Sequence, residues 1–295
     1  MLDLHRLRLL RELHRRGTLA AVAAALSYSP SAISQQLTLL EAEAGVTLLE
    51  RAGRGVTLTA QAQILVAHTE ALLARMEQAE ADLAASLSGV AGTVRVAAFQ
   101  TAAHALMPAA LTALAARHPT LRVEVTELEP EQSLPALLAR DFDLVLGEEY
   151  PGHPHPPRPG LELADLSRDP LRLALPPDSA AGGSGDLSGL SGRSWVMEPH
   201  GSAPRQWATA LCRTAGFEPD VRYQSWDLLL HVRLVEAGHA VALLPDLVWS
   251  GPATAVLKPL PGNPARRIFT ATRTGAGQHP AVQALRDTLR HAARR

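Results

Sequence analysis

Residues 18–43 read TLAAVAAALSYSPSAISQQLTLLEAE, and the fold of the whole chain turns on this stretch. An alanine-rich helical pattern covers residues 19–26. A break follows at Ser27, Tyr28 and Ser29, and a second pattern opens at Pro30 and runs to about Ala44. Thr18 follows Gly17 where a helix N-cap belongs. Ser29 is a good N-cap for the second helix, and Pro30 at its first position loses no hydrogen bond. Ile33, Leu37 and Leu40 share one face of that helix, and Ser31, Ser34, Gln35 and Thr38 share the other. Hydroxyl and amide side chains of this size can reach base edges. Two short helices joined by a tight turn predict a helix-turn-helix that reads DNA. The same spacing also fits a helical hairpin whose polar face meets only water.

On the N-terminal side, residues 1–16 predict an amphipathic helix ended by Gly17. Leu4, Leu7, Leu10 (or Leu9) and Leu13 face inward, and Arg6, Arg8, Arg11, Arg15 and Arg16 face outward. On the C-terminal side, Gly45 is followed by two β-prone runs, residues 46–51 and 56–59, around the turn Ala52-Gly53-Arg54-Gly55. This predicts a hairpin, which beside a helix-turn-helix is a wing. Arg51 and Arg54 are then placed to meet phosphate or enter a minor groove, although an isolated arginine is more often a solvated surface charge.

Residues 1–60 resemble the winged helix-turn-helix of LysR-type transcriptional regulators. The match runs through Gly17-Thr18, Ala20-Ala21, Ala24-Ala25-Leu26, Ser29, Ser31-Ala32-Ile33-Ser34-Gln35-Gln36-Leu37, Leu40-Glu41, Gly45-Val46, Leu48-Leu49-Glu50-Arg51 and Leu58-Thr59. Three positions depart from the family pattern. Pro30 stands where glutamine is common, Gln35 where arginine is frequent, and Leu49 where phenylalanine is common. The resemblance implies a domain at 1–58 that binds double-stranded operator DNA through Thr18, Ser29, Ser31, Ala32, Ser34, Gln35, Gln36, Thr38, Arg51 and Arg54.

Residues 59–88 hold one long helical pattern, capped by Thr59. A heptad places Leu65, Leu72 and Ala79 in one seam position and Thr69, Met76 and Leu83 in the other. Its weakness suits either a dimer contact supported by neighbouring domains or a helix packed on its own core. The resemblance favours the linker and dimerisation helix of a homodimer, assembled further to a homotetramer.

After the Ser88-Gly89-Val90-Ala91-Gly92 linker the pattern becomes alternating strands and helices. Strands are predicted at 93–98, 121–127, 142–147, 171–175, 194–197, 220–224, 240–244, 255–260 and 267–273. Helices are predicted at 102–118, 130–140, 203–215, 227–237 and 280–294. That is an α/β domain. Residues 151–160 (PGHPHPPRPG) mark a crossing into a second lobe, and 176–193 a glycine- and serine-rich surface loop. Leu121-Arg122-Val123, Asp143-Leu144-Val145-Leu146 and residues 236–245 resemble the family's two-lobed effector domain, built like a periplasmic solute-binding protein. The implied domain spans 93–295, with lobe I at 93–160 and 267–295 and lobe II at 161–266.

Open α/β sheets bind ligands beyond the carboxyl ends of their strands. That rule selects Phe99, Gln100 and Thr101, Glu127 and Glu129, Gly147, Glu148 and Glu149, Glu198, His200, Gly201 and Ser202, and Ser225, Trp226 and Asp227. The resemblance puts inducer contacts at Gln100, Thr101, Ser202 and Ser225. The candidate effector residues are therefore Phe99, Gln100, Thr101, Glu127, Glu148, Glu198, Ser202, Ser225 and Trp226. The helix-cap role is the competing assignment for the serines and Thr101. The several carboxylates point to a cationic ligand.

Composition narrows the alternatives. At 295 residues and 46% hydrophobic the chain can build at least two cores, and a net charge of −1 confines any DNA affinity to a local patch. Cys212 is the only cysteine, so neither an internal disulfide nor a cysteine metal cluster can form; on an apolar helix face it reads as a buried thiol. His153 and His155 form an HxH pattern without a nearby carboxylate or thiol partner, and no metal or other cofactor is expected. No P-loop, GxSxG or HExxH occurs, so no enzyme is expected. No apolar run is long enough for a membrane span, and Arg6, Arg8 and Arg11 interrupt any signal-peptide core, which points to the cytoplasm. The rival class is a small-molecule binding protein or enzyme whose N-terminal helices serve only association.

Overall fold

The computed structural model describes residues 1–295 except Ser27, Arg54, Ser88, residues 180–184, Ser250 and Arg295. The chain divides into two compact units, Met1–Ser86 with Thr274–His279, and Leu87–Arg273 with Pro280–Arg295.

In the first unit α1 (Leu4–Arg16), α2 (Leu19–Leu26) and α3 (Pro30–Ala44) precede β1 (Leu49–Ala52), β2 (Gly55–Leu58) and α4 (Ala60–Ala85). Each boundary has its cap. The Asp3, Ser29 and Thr59 side chains accept from the first turns of α1, α3 and α4. Gly17 and Gly45 end α1 and α3 in the left-handed conformation. The core joins Leu7, Leu9, Leu10 and Leu13 of α1 to Ile33, Leu37 and Leu40 of α3 and to Ala62 and Val66 of α4. Each fully buried leucine or isoleucine there contributes about 1.5–3 kcal/mol. Arg11, expected to face outward, is buried: it donates to Glu12 at 2.6 Å and to Glu70 of α4 at 3.0 Å. Arg15 donates to the same Glu70 oxygen at 2.5 Å. The helical period alone could not reveal that a second helix covers this polar edge.

α4 also corrects the heptad. Thr69 is fully buried and turns its hydroxyl back to Leu65 O at 2.7 Å, so it belongs to the intramolecular face. The outer face carries Ile64, Leu72, Met76 and Leu83, with Leu72 49% and Leu83 68% exposed.

The second unit begins with β3 (Gly92–Ala98), α5 (Gln100–Ala105), α6 (Met107–Arg117), β4 (Leu121–Glu127), α7 (Pro130–Leu138) and β5 (Leu144–Glu149). It continues through β6 (Leu161–Leu175), β7 (Ser194–Met197), α8 (Ala203–Thr214), β8 (Asp220–Gln224), α9 (Leu228–Glu236), β9 (Ala242–Pro245) and β10 (Val256–Pro259). It closes with β11 (Ala265–Arg273) and α10 (Pro280–Ala292). The single helix expected over 102–118 is two, broken at Leu106, because Pro108 fits only a first turn.

β4, β3 and β5 run parallel, and β11 adds antiparallel to β5. β6 is the structural surprise. Residues 161–170 pair with β11, while residues 171–174 pair with β9 and residues 172–175 with β10. The chain therefore changes lobes near Pro170, inside a continuous strand, and not at residue 161 as expected from the sequence. One core lies between β3, β5, α5, α6 and α10 in the first lobe. Two others, around Trp195 and around Val196, form the second.

Candidate functional site

The polar face of α3 is laid out as its spacing requires. Ser31, Ser34, Gln35 and Thr38 are exposed opposite the buried Ile33, Leu37 and Leu40, and Ala32 is half-buried. Ser29 accepts from Ala32 N at 3.2 Å and shares a 3.0 Å hydrogen bond with the Ser31 hydroxyl. Thr18 is exposed and caps α2 through Ala21 N at 3.1 Å. Gln36 is half-buried, and its Oε1 accepts from Arg6 Nε at 3.0 Å, so it is tied to α1. Arg51 is exposed on β1, which pairs with β2 as a hairpin; Arg54 lies outside the described residues. Sequence reasoning missed what holds this hairpin. Glu41 Oε1 accepts from Leu48 N at 2.7 Å and Leu49 N at 3.0 Å, so a carboxylate on the reader helix fixes the start of the wing.

In the second unit the strand ends converge on a cleft between the lobes. Its two openings share Glu129, Glu148, Tyr150, Pro204 and Trp226. One adds Phe99, Gln100, Thr101, Glu198, Leu228 and Arg266. The other adds Glu131, His153 and His155.

Arg266 organises this cleft. It is fully buried; Nε and Nη2 donate to Asp169 Oδ2 at 2.9 and 2.7 Å, Nη2 to Thr101 Oγ1 at 2.6 Å, and Nη1 to Glu148. Its guanidinium lies 5.1 Å from the Phe99 ring centre. Burial opposes its charge, yet Glu148, Tyr150 and Asp169 hold its pKa above the ordinary arginine range. Burial raises Glu148 and Asp169 more than Arg266 lowers them. Burial, reinforced by Glu148 and Glu131, pushes Glu129 up to about 8. Burial, reinforced by Glu148, pushes Glu198 up to about 7.

Gln100 spans the cleft. Its Nε2 donates to Asp227 Oδ1 at 2.8 Å, and its Oε1 accepts from Leu228 N at 2.9 Å, at the N-terminus of α9. Of the sequence-derived candidates, Phe99, Gln100, Thr101, Glu148, Glu198 and Trp226 meet here. Glu127 does not: it is exposed at the end of β4, and Glu129, two residues on, lines the cleft instead. Ser202 and Ser225 do not line either opening. Ser202 caps α8, accepting from Arg205 N at 3.3 Å. Ser225 accepts from Asp227 N at 3.0 Å, and its carbonyl meets His231 Nε2 at 2.9 Å.

Sequence reasoning missed Arg266, Asp169 and Tyr150. The strand begins at Ala265, two residues before the expected Arg267, and Arg266 lies on the same face as the buried Ile268, Thr270 and Thr272. The ring of His155 is taken by Glu148 O at 2.8 Å. Among the described residues no three His, Cys, Asp or Glu side chains form a group that could hold a metal ion. Among them, too, no helix is long and apolar enough to cross a membrane.

The family models bear directly on both regions. The model of the LysR substrate binding domain matches residues 87–294, and that of the bacterial regulatory helix-turn-helix protein, lysR family, matches residues 4–63. The chain belongs to the LysR family of transcriptional regulators. TcbR, an HTH-type transcriptional regulator of a Pseudomonas species, is 28% identical over 236 residues, 79% of each chain. A probable hydrogen peroxide-inducible genes activator of Streptomyces viridosporus is 29% identical over 280 residues, 92% of this chain and 88% of its own. Among solved structures, a full-length OxyR variant from Pseudomonas aeruginosa has a TM-score of 0.69 at 20% identity. It covers 98% of this chain and 95% of its own, a likeness of fold. As a LysR regulator the chain binds DNA through its N-terminal unit and carries an effector-binding domain behind it.

Proposed function

We propose that α3 enters the major groove and reads bases with Ser31, Ser34, Gln35 and Thr38, while Arg51 and Arg54 of the wing meet the backbone or minor groove. Ser29, Ala32 and Thr18 sit at the groove edge, and Gln36 positions α1 against α3. The observation that carries this reading is the exposed polar face of α3 backed by fully buried Ile33, Leu37 and Leu40. Residues 1–58 are the reader, 59–88 the linker helix and 93–295 the effector domain. The outer stripe of α4 pairs with that of a second copy, setting two readers at a spacing that matches two half-sites. Pairs of dimers join as tetramers through the effector units. An effector enters the interlobe cleft, contacting Phe99, Gln100, Thr101, Glu148, Glu198 and Trp226, and shifts the assembly toward one of its states. The protein acts in the cytoplasm.

Some relatives carry peroxide-inducible names. A response to peroxide through a cysteine would require an accessible thiolate. Cys212 is fully buried on α8, and burial, reinforced by Glu218, pushes its thiol up to about 12. A small-molecule effector therefore suits this chain better than oxidation of its one cysteine.

A fluorescence anisotropy titration with DNA from upstream of its own gene, repeated across salt concentrations, tests the reading. Sequence-specific binding with a steep negative salt slope is expected. Equal affinity for unrelated DNA of the same length would reject it.

A further inference from the structure

The charges of the interlobe cleft are unbalanced. Arg266 brings one positive charge, and its donors are already committed to Asp169, Glu148 and Thr101, with Phe99 covering its face. It offers no open fork to an anionic ligand. Two carboxylates remain beyond that cluster, one from each lobe. Glu129 follows β4 in the first lobe and Glu198 follows β7 in the second, and both line the same opening.

Glu198 is the telling residue. It is only 7% exposed, and its side chain makes no ion pair and no hydrogen bond to another residue among the described residues; it is held only by its own main-chain N–H. A carboxylate so buried with no donor from another residue is under-satisfied, and the cleft can supply it with a donor that arrives from outside. A bare metal ion does not fit, since no three candidate ligands group to hold one among the described residues. Trp226 stands 45% exposed at the cleft with Pro204 and Leu228 beside it, offering an aromatic and apolar surface to the rest of a ligand.

We propose that the effector is a small organic cation, an ammonium or guanidinium group on an apolar body, whose N–H groups bridge Glu198 and Glu129 while Trp226 covers the body. The inference rests on the cleft being the effector site. Bridging two carboxylates from opposite lobes also gives the ligand a way to act: it ties the two walls together and favours the closed arrangement that Gln100 latches.

The cleft also sets a pH signature. Glu198 is faced by Glu148 of β5, Arg266 of β11, Arg205 of α8 and Tyr150; Glu129 is faced by Glu148, Glu131, Glu127 and Arg266 and shares its openings with Tyr150, Glu198, His153 and His155. Both carboxyls are partly protonated near neutrality, so a cation displaces protons and its affinity rises from pH 6 to 8.5. An anion would show the opposite slope.

The test is calorimetric titration of the full chain with three cations, 2-phenylethylammonium, 1,4-diammoniobutane and agmatine. The neutral 2-phenylethanol and the anionic 3-phenylpropanoate serve as isosteres. At least one cation is expected to bind at least about tenfold more tightly than either isostere. Glu198→Gln and, separately, Glu129→Gln should each weaken it by a similar factor while melting as sharply as the parent. Tighter binding of 3-phenylpropanoate or equal binding of 2-phenylethanol, lost in Trp226→Ala, would overturn the cationic class and leave the cleft as the effector site. Cation binding untouched by Glu198→Gln, Glu129→Gln and Trp226→Ala would place the ligand elsewhere and overturn both readings. Absence of binding by all three cations at about 10 mM would also overturn the proposal.

Discussion

Arg266 lies directly opposite Asp169 in the antiparallel pairing of β6 and β11, and two of its nitrogens donate to one carboxylate oxygen of that partner at 2.9 and 2.7 Å. The pair sits where β6 passes from one lobe to the other, and the second Asp169 oxygen accepts from Leu247 N at 3.1 Å. A fully satisfied ion pair is thus buried in the strands that join the lobes. Removing one partner leaves an uncompensated buried charge. Asp169→Ala is expected to destabilise the effector unit by about 3–5 kcal/mol in urea unfolding. Asp169→Asn, which retains an acceptor, should cost less.

The raised carboxyls of the cleft give stability a direction with pH. Glu129 and Glu198 hold their protons to about 8 and about 7, above their ordinary value of 4.5. A group whose pKa is raised by folding lends stability that is complete below its unfolded pKa and lost as pH climbs through the folded one. The melting temperature of the ligand-free protein should therefore fall between pH 5 and pH 8. Calorimetric scans of the Glu129→Gln, Glu198→Gln double variant should show a flatter profile; an unchanged slope would assign the effect to other groups.

Gly147 on β5 is required by packing. A methyl added there would overlap the ring of the fully buried Phe269, which stands opposite it on β11. Overpacking of this kind typically costs about 1–3 kcal/mol. Gly147→Ala should lower the denaturant midpoint accordingly, and Gly147→Ala with Phe269→Leu should recover part of the loss.

On the DNA side, Gln35→Ala with Ser34→Ala removes base contacts and should weaken operator binding by about 1–3 kcal/mol per bidentate contact, with little change for unrelated DNA. Arg51→Ala should weaken both and reduce the salt slope by about one. Anisotropy titrations on specific and scrambled duplexes separate the two behaviours.

The outer stripe of α4 predicts its own disruption. Leu72→Glu with Met76→Glu puts charges on two exposed residues of the outer face of α4. Sedimentation equilibrium should show smaller species with unchanged helix content. Retention of the parent mass would move the dimer contact away from α4.

Local rules made much of this molecule readable. Ser29, Pro30 and Gly45 set the ends of α3, because capping depends on residues within a turn of each other. Ile33, Leu37 and Leu40 told its buried face, because the helical period is fixed by the backbone. The strand-end rule led to Phe99, Gln100, Thr101, Glu148, Glu198 and Trp226 because parallel strands place their carboxyl ends together. It failed at Glu127 and at the two serines, where one or two residues along a loop decide whether a side chain turns to the cleft or caps a helix.

The sequence by itself therefore determined the helix-turn-helix, its wing and the alternation that makes an effector domain. Only the tertiary structure decided that Arg11 is an inner residue, that Thr69 faces its own unit, and that Arg266 is consumed by Asp169 and Glu148. The reason is separation along the chain. Arg266 and Asp169 are 97 residues apart, and no local period reports which charges a fold will bury together or which carboxylate, such as Glu198, it will leave waiting for a partner.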